Sequence, residues 1–384
     1  MSSHHLFWQL IPFLFLIDSF LRFLLVWLRT LTTASQKISE SESDPLRICG
    51  SVVLIAANDE AGTIGATVAS LKNQLPDWPG SSIWVIADHC TDETAEVAES
   101  AGAQVAVRQD GRRGKGAVIA WWLQRYEAIW QKREAVIILD ADTKMAPGTM
   151  RAIKNAMRSG ADVAQAFVAP DASTNAGRLA GWSEVLMQRI DDEARRRCGW
   201  PVPLRGTGMA FRGRLIADLA PHLHTFAEDL ELDILLAARG IQVEFVPEAR
   251  VYDPKPRETA GVSRQRARWF QGQLQVISDY HGEILKALIN GGIGTWFLLL
   301  PLILRPKILF IGMRVMLLVF SPWIALAGLI MDAVYYLVGA VLVDNPRRYL
   351  LDLLAAPRYG AIWVHGLWMA VIRRGTRNWL RAGR

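Results

Sequence analysis

The stretch Ser51-Val52-Val53-Leu54-Ile55-Ala56-Ala57-Asn58-Asp59-Glu60 decides how this chain folds. An apolar run rich in branched side chains, too short for a buried helix and closed by polar turn formers, reads as a strand covered on both faces, Ser51 to Ala56. Beyond it, apolar runs alternate with helical patterns. Gly62 to Leu71 is a helix, Ile83 to Ala87 a strand, Thr91 to Ser100 a helix and Val105 to Val107 a short strand, followed by a helix Lys115 to Trp130 and a strand Val136 to Leu139. The alternation predicts βαβ units on a mostly parallel, Rossmann-like sheet, an α/β domain. In such sheets ligands bind beyond the carboxyl ends of the strands. The polar signatures fall there: Asn58-Asp59-Glu60 after the first strand, Asp88 after the second, and Asp140-Ala141-Asp142 closing the strand Val136 to Leu139.

Carboxylates two residues apart on an extended segment share a face, so Asp140 and Asp142 are expected to converge on one hard cation, Mg²⁺ or Mn²⁺, together with phosphate oxygens. Asp88 is placed to accept hydrogen bonds from a uracil or ribose, while Thr91 or Asp92 caps the next helix. His89 reads as a loop residue outside the site. Arg112-Arg113-Gly114-Lys115-Gly116 opens a helix, where free amides and a lysine suit phosphate, although the spacing is not that of a P-loop. Gly62-Thr63-Ile64-Gly65 lacks the dinucleotide fingerprint, which argues against an NAD site.

Glu228-Asp229 precedes a helical run, Leu230 to Arg239. Acids there cap helices, and they can equally take the proton of an acceptor hydroxyl as its oxygen attacks an anomeric carbon. Gln265-Arg266-Ala267-Arg268-Trp269 puts Gln265, Arg268 and Trp269 on one helical face. Arg268 suits a leaving diphosphate; Trp269 suits a sugar ring or a membrane surface.

Apolar residues make up 51% of the 384 positions and gather at the two ends, with a formal charge of +6. The arginines crowd against apolar segments, as in Arg22, Arg29, Arg305, Arg314, Arg373 and Arg374, a pattern that favours anionic headgroups and the positive-inside rule over nucleic acid. Three separated cysteines with no CxxC pair predict neither a disulfide framework nor structural zinc. Leu6 to Leu28 is long enough to span a bilayer, yet Asp18 sits near its middle, where an acid costs roughly 2.5 to 3.5 kcal/mol. Arg22, one turn on, is its expected partner, and an interfacial helix is the alternative. No basic n-region precedes this run, against a cleaved signal peptide.

Ile308 to Val343 accommodates two short spans, with a turn near Ser321-Pro322 or closer to Asp332. Ile293 to Leu304 and Tyr359 to Ile372 are too short to span and suit the interface. The expected order is a membrane helix in 1–31, a Ser, Thr and Glu-rich linker in 32–47, an α/β domain in 48–285, and membrane and interfacial helices with a basic tail in 286–384, the catalytic part facing the cytoplasm.

These signatures, in this order over roughly residues 50 to 275, resemble the membrane-bound family 2 glycosyltransferases, which include cellulose, hyaluronan and poly-N-acetylglucosamine synthases and ceramide glucosyltransferases. The resemblance implies a GT-A fold and an inverting reaction. It implies that Asn58 and Asp59 or Glu60, with Asp88, meet the uridine part, that Lys115 lies near the nucleotide, and that Asp140 and Asp142 hold diphosphate and metal. Asp229 is then the base, and Gln265, Arg268 and Trp269 close the site. Arg205-Gly206-Thr207-Gly208-Met209 looks like the acceptor-lining segment, so Gly206, Thr207, Glu228 and Trp269 are expected at the acceptor. The first motif departs from the Pro-x-x approach to Asn-Glu, leaving open which acid meets the base, and the few apolar segments after the closing motif argue against self-secretion of a long polymer.

The expected activity is metal-dependent transfer of a hexose or N-acetylhexosamine from a UDP-sugar to a growing glycan, or alternatively to a ceramide-like or polyprenyl lipid. Membrane lipids and a polysaccharide export protein are the expected partners. A non-catalytic nucleotide-binding membrane protein would lack a key acid, whereas Asp140, Asp142, Asp229 and Arg268 are all present. A transporter or channel does not account for the large polar portion that carries the motifs.

Overall fold

The computed structural model describes residues 3–32, 50–171, 174–225, 227–255, 259–303 and 307–372. The expected linker, apart from Thr32 and the residues before its start, and the basic tail with Arg373 and Arg374 lie outside them, as does Arg305.

Eight strands form one sheet: β1 (Ser51–Ala57), β2 (Ser82–Asp88), β3 (Gln104–Arg108), β4 (Ala135–Asp140), β5 (Lys144–Met145), β6 (Val163–Asp171), β7 (Met209–Phe211) and β8 (Val243–Pro254), in the order β3-β2-β1-β4-β7-β6-β8-β5. The first four pair in parallel, as the βαβ rhythm predicts. The sheet as a whole is mixed, because β7 runs antiparallel to both β4 and β6, and β5 antiparallel to β8. β7 is only three residues long and leaves too little pattern in the sequence to be seen.

Strand β1 shows why its apolar run is continuous. Val52 and Leu54 enter one core with Trp84, Ile86, Val136 and Phe211, while Val53, Ile55 and Ala57 enter the other with Val85, Ile137 and Val168. With both faces covered, polar alternation would bury unpaired groups. The predicted helices stand at Ala61–Lys72 and Thr94–Ala101, and the third is interrupted at Tyr126 into Lys115–Arg125 and Glu127–Trp130. Register then aligns the strand ends: Ala57 lies beside Ala87 and Ala56 beside Asp140, so Asn58, Asp88 and Asp140 emerge along one edge.

The apolar terminal helices are not a separate layer. Val26 of the helix Ser3–Leu31, and Tyr335, Ala340 and Val343 at the helix Pro322–Leu342, belong to the same core cluster as β1 and β4. The turn between Lys307–Leu317 and Pro322–Leu342 falls at the expected Ser321-Pro322. Among the described residues, one helix, Pro322–Leu342, is long and apolar enough to cross a membrane by length and composition.

Arg22 and Arg314 correct the headgroup expectation. Both are buried, at 3% and 0% exposure, and they face acids: Arg22 Nη2 pairs with Asp18 and lies 2.9 Å from Asp332 Oδ1, and Arg314 Nη2 lies 2.7 Å from Asp332 Oδ2. Ser19 Oγ donates to Asp332 Oδ1 at 3.0 Å. The Asp18–Arg22 pair is therefore one half of a network joining three helices. Arg29 likewise turns inward and donates to the Arg189 carbonyl at 2.8 Å.

Candidate active site

The loops after β1 and β2 are tied together by the residues that the sequence singled out. Asn58 Nδ2 donates to the carbonyls of Asp88 at 2.8 Å and His89 at 3.1 Å, so this side chain fastens one loop to the next. Asp59, left-handed at φ 54, accepts from the Thr91 amide at 2.7 Å and the Thr91 hydroxyl at 3.1 Å. Glu60 Oε2 accepts from the Thr63 hydroxyl at 2.8 Å. Asp92 does the capping: Oδ1 takes the Thr94 amide and Oδ2 the Ala61 amide, each at 3.1 Å, so it serves the first turns of two helices. Asp88 is buried, and its Oδ1 accepts from Arg108 and, at 2.9 Å, pairs with His89 Nδ1.

Deeper along the edge lies a cluster of acids around one lysine. Strand β4 stops at Asp140, and Ala141-Asp142 forms a turn closed by the Thr143 amide on the Asp140 carbonyl at 3.2 Å. Strand alternation thus does not relate Asp140 to Asp142, which corrects the expected geometry: the turn sets their relation. Lys115, the first residue of its helix, is half-buried and pairs with Asp140 Oδ1 and the Gly206 carbonyl, with Glu228 Oε1 at 3.5 Å. Burial by itself would pull the ammonium down, but Asp140 and Glu228 hold it above its ordinary range. Lys115 is therefore not a free phosphate arm at a helix start. Nor is Arg112, whose guanidinium donates to the carbonyls of Leu223 and, at 3.2 Å, His224.

The segment Arg205–Gly208 closes the cluster from above. Gly206 has φ 78, and a Cβ on it would stand 3.8 Å from Asp229 Oδ2 and 3.9 Å from Glu228 Oε1, so the acidic pair faces this glycine. Thr207 Oγ1 accepts the Asp140 amide at 3.1 Å, fixing the end of β4 against the segment. Glu228-Asp229 begins the helix Glu228–Ala238, and Asp229 Oδ1 accepts the Leu230 amide at 2.9 Å, leaving Oδ2 toward Gly206. Burial first, then the charges of Asp229 and Asp140 against the opposing Lys115, push the Glu228 carboxyl up to about 7. Gln265, Arg268 and Trp269 stand on the helix Thr259–Asp279, with Trp269 37% exposed and Arg266 and Ala267 turned inward.

Asp140 and Glu228 meet the ammonium of Lys115 at this edge, with the charge of Asp229 close by, and Asp142 stands in the turn that follows Asp140. An all-oxygen donor set of this kind fits a hard divalent ion, with phosphate oxygens completing the shell. Among the described residues, the acid and thiol atoms already close enough to share an ion are instead those of Asp59, Cys90 and Asp92, and the two carboxylates there are engaged by Thr91, Thr94 and the Ala61 amide.

Some supports left no recognisable motif. Glu231, fully buried, accepts the amides of His224 at 3.0 Å and Thr225 at 2.9 Å and the Tyr280 hydroxyl at 3.2 Å, shaping the loop before Glu228. Its sequence signal is that of any acid in a helix's first turn. Arg205 pairs with Asp192, and Lys255 is buried between Glu184 and Asp253 at 2.5 Å each. Glu184 lies 71 positions from Lys255 and Asp192 13 from Arg205, so no local motif marks these pairs, while Asp253 is two residues from Lys255.

A mixed α/β sheet with acids along one strand edge and a lysine among them is an arrangement of GT-A-like fold. A mannosyltransferase from Pyrobaculum calidifontis, in complex with GDP-Man and Mn²⁺, matches over 94% of this chain and 97% of its own at TM-score 0.54 and 18% identity, a likeness of fold. Residues 50–272 match the glycosyltransferase like family 2, and the chain belongs to that family. It is 25% identical over 236 residues to a beta-monoglucosyldiacylglycerol synthase of Synechocystis, covering 59% of this chain and 48% of that protein. It is also 25% identical over 259 residues to an N-acetylglucosaminyltransferase of Rhizobium leguminosarum, covering 63% and 59%. The chain thus spans about half the length of the curated relatives it matches. Membership of that family, with these relatives, supports a glycosyltransferase over the non-catalytic alternative.

Proposed function

We propose that the chain is an inverting, metal-dependent enzyme that moves a hexose or N-acetylhexosamine from a UDP-sugar to a growing glycan at the cytoplasmic face of a membrane. The observation that carries it is the placement of Glu228-Asp229 beside Gly206 and across Lys115 from Asp140. Asp140 and Asp142 would hold Mg²⁺ or Mn²⁺, which supplies charge neutralisation of the leaving diphosphate. Asn58, Asp59, Glu60 and Asp88 bound the nucleoside end, Asp88 fixed by Arg108. Asp229 takes the acceptor hydroxyl's proton while that oxygen bonds to the anomeric carbon from the face opposite the breaking bond to the diphosphate. Arg268 meets the departing charge, and Gly206, Thr207, Glu228 and Trp269 border the acceptor.

A lipid acceptor is the second reading. Phe20, Trp27, Trp323 and Val341 are exposed on the terminal helices and Val319 and Phe320 in the turn between two of them, and one relative is named for a glycolipid product. Labelled UDP-sugars offered one at a time to Mn²⁺-containing membranes, with product sizing, decide between them. A long water-soluble product establishes polymer synthesis; a single-sugar, organic-extractable product establishes lipid glycosylation. Absence of transfer with every UDP-sugar overturns the donor assignment.

Asp142→Ala is expected to weaken donor binding in Mn²⁺ by at least tenfold, read by donor titration with and without the ion. Unaltered Mn²⁺ dependence removes Asp142 from the metal. A pH effect follows from Glu228. Its proton is lost only as pH rises through about 7, so below that the acidic pair carries less negative charge and is a poorer proton acceptor. Activity over substrate affinity, kcat/KM, is expected to fall about tenfold per pH unit below 7 and to level off above it. Glu228→Gln cannot titrate, and persistence of the same limb in that variant assigns it to another group.

A further inference from the structure

The helix Thr259–Asp279, which carries the closing motif, lies along the helix Ala356–Ile372. Their approach is close at Gly366, where a Cβ would stand 3.0 Å from Arg266 Cβ and 3.2 Å from the Ser263 carbonyl oxygen. In this seam Arg266 is 3% exposed, and its guanidinium lies 4.3 Å from the ring centroids of both Trp269, on its own helix, and Trp363, on the other. Its Nη2 donates to the Tyr359 hydroxyl at 2.7 Å. The far helix is itself packed by its rings, Trp363 edge-on to Phe270 at 5.6 Å between centroids.

A guanidinium is planar, weakly hydrated and always charged, so it can face two aromatic rings and still donate a directed hydrogen bond. A lysine ammonium has neither the plane nor the fork. Because Trp269 belongs to the motif and Trp363 does not, the cation is the link between the motif and a helix about a hundred residues on in the sequence.

We propose that Arg266 is a positioning residue: held between Trp269 and Trp363, it locks the helix Thr259–Asp279 to the helix Ala356–Ile372 and so fixes the reach of Arg268 and Trp269 over the site. The clamp matters to turnover only if Gln265, Arg268 and Trp269 close the site, as proposed above. Arg266 touches neither donor nor acceptor in this scheme; it acts through its neighbours.

The test uses the full chain in membranes, comparing Arg266→Lys, Trp363→Phe, Trp363→Leu and Arg268→Ala by initial rates over donor concentration, with thermal denaturation measured alongside. Arg266→Lys and Trp363→Leu are expected to lower kcat at least tenfold with a smaller change in donor KM, while Trp363→Phe, which keeps a ring face for the cation, restores most of the rate. Equal behaviour of Trp363→Phe and Trp363→Leu, or a full kcat in folded Arg266→Lys, overturns the clamp and leaves only helix packing. If Arg268→Ala turns over normally, the closing-motif assignment fails as well. If Arg268→Ala is dead and the clamp variants are normal, that assignment stands and the clamp alone falls. The Trp363 pair keeps the outcome decisive should Arg266→Lys fail to fold.

Discussion

Asp229→Asn is expected to abolish transfer, lowering kcat by about 10² to 10⁴ while leaving donor binding intact, because a positioned general base contributes rate of that order. The substitution keeps the shape of the side chain. Asp229 Oδ1 accepts the Leu230 amide at 2.9 Å, and the asparagine carbonyl oxygen can accept the same bond, so the start of the helix Glu228–Ala238 is kept. What is lost is the second oxygen, the one that faces Gly206 and has the basicity to take a proton. Labelled transfer and donor titration on the same preparation separate the two effects. Turnover near the parent rate removes Asp229 from the role of base and passes it to Glu228, whose carboxyl already stands near neutrality.

Asp332→Ala is expected to cost about 3 to 5 kcal/mol of stability, the range for breaking a buried ion pair from one side. Asp332 takes Arg22 at 2.9 Å, Arg314 at 2.7 Å and the Ser19 hydroxyl at 3.0 Å. Without it, two buried guanidinium groups share Asp18, which lies 3.9 Å from Arg314. The cost arises from the uncompensated charge, so removing a cation with the anion should return much of it: Asp332→Asn with Arg314→Met is expected to exceed Asp332→Asn alone in thermal midpoint and yield. A double-mutant cycle measures that coupling. A change within about 0.5 kcal/mol for Asp332→Ala, the usual range for surface substitutions, would show that the network carries no stability.

The parallel half of the sheet was legible because three of its four strands, Ser51–Ala57, Ser82–Asp88 and Ala135–Asp140, are buried on both faces, so that their apolar runs are continuous and of strand length. The antiparallel half was not. Met209–Phe211 earns its place by pairing with β4 and β6, and three residues hold too little pattern to announce that. Among site residues, Asp140, Glu228 and Asp229 were marked by position after a strand or before a helix. For Lys115 the sequence shows a lysine at a helix start, which suits phosphate, whereas its pairing with Asp140 and Glu228 depends on residues 25 and 113 positions away and is not visible there.

The sequence alone determined which segments must be buried, where strands end, and which residue types stand at those ends, because burial period and turn chemistry are local properties of the chain. Only the tertiary structure decided what those side chains spend their charge on. Asn58 fastens two loops, Arg22 and Arg314 serve Asp18 and Asp332 in place of headgroups, and Arg266 joins Trp269 to Trp363. Each is a pairing between groups that the backbone brings together from distant positions, and Coulomb and cation–π energies depend on the distance in space that the fold creates rather than on separation along the chain.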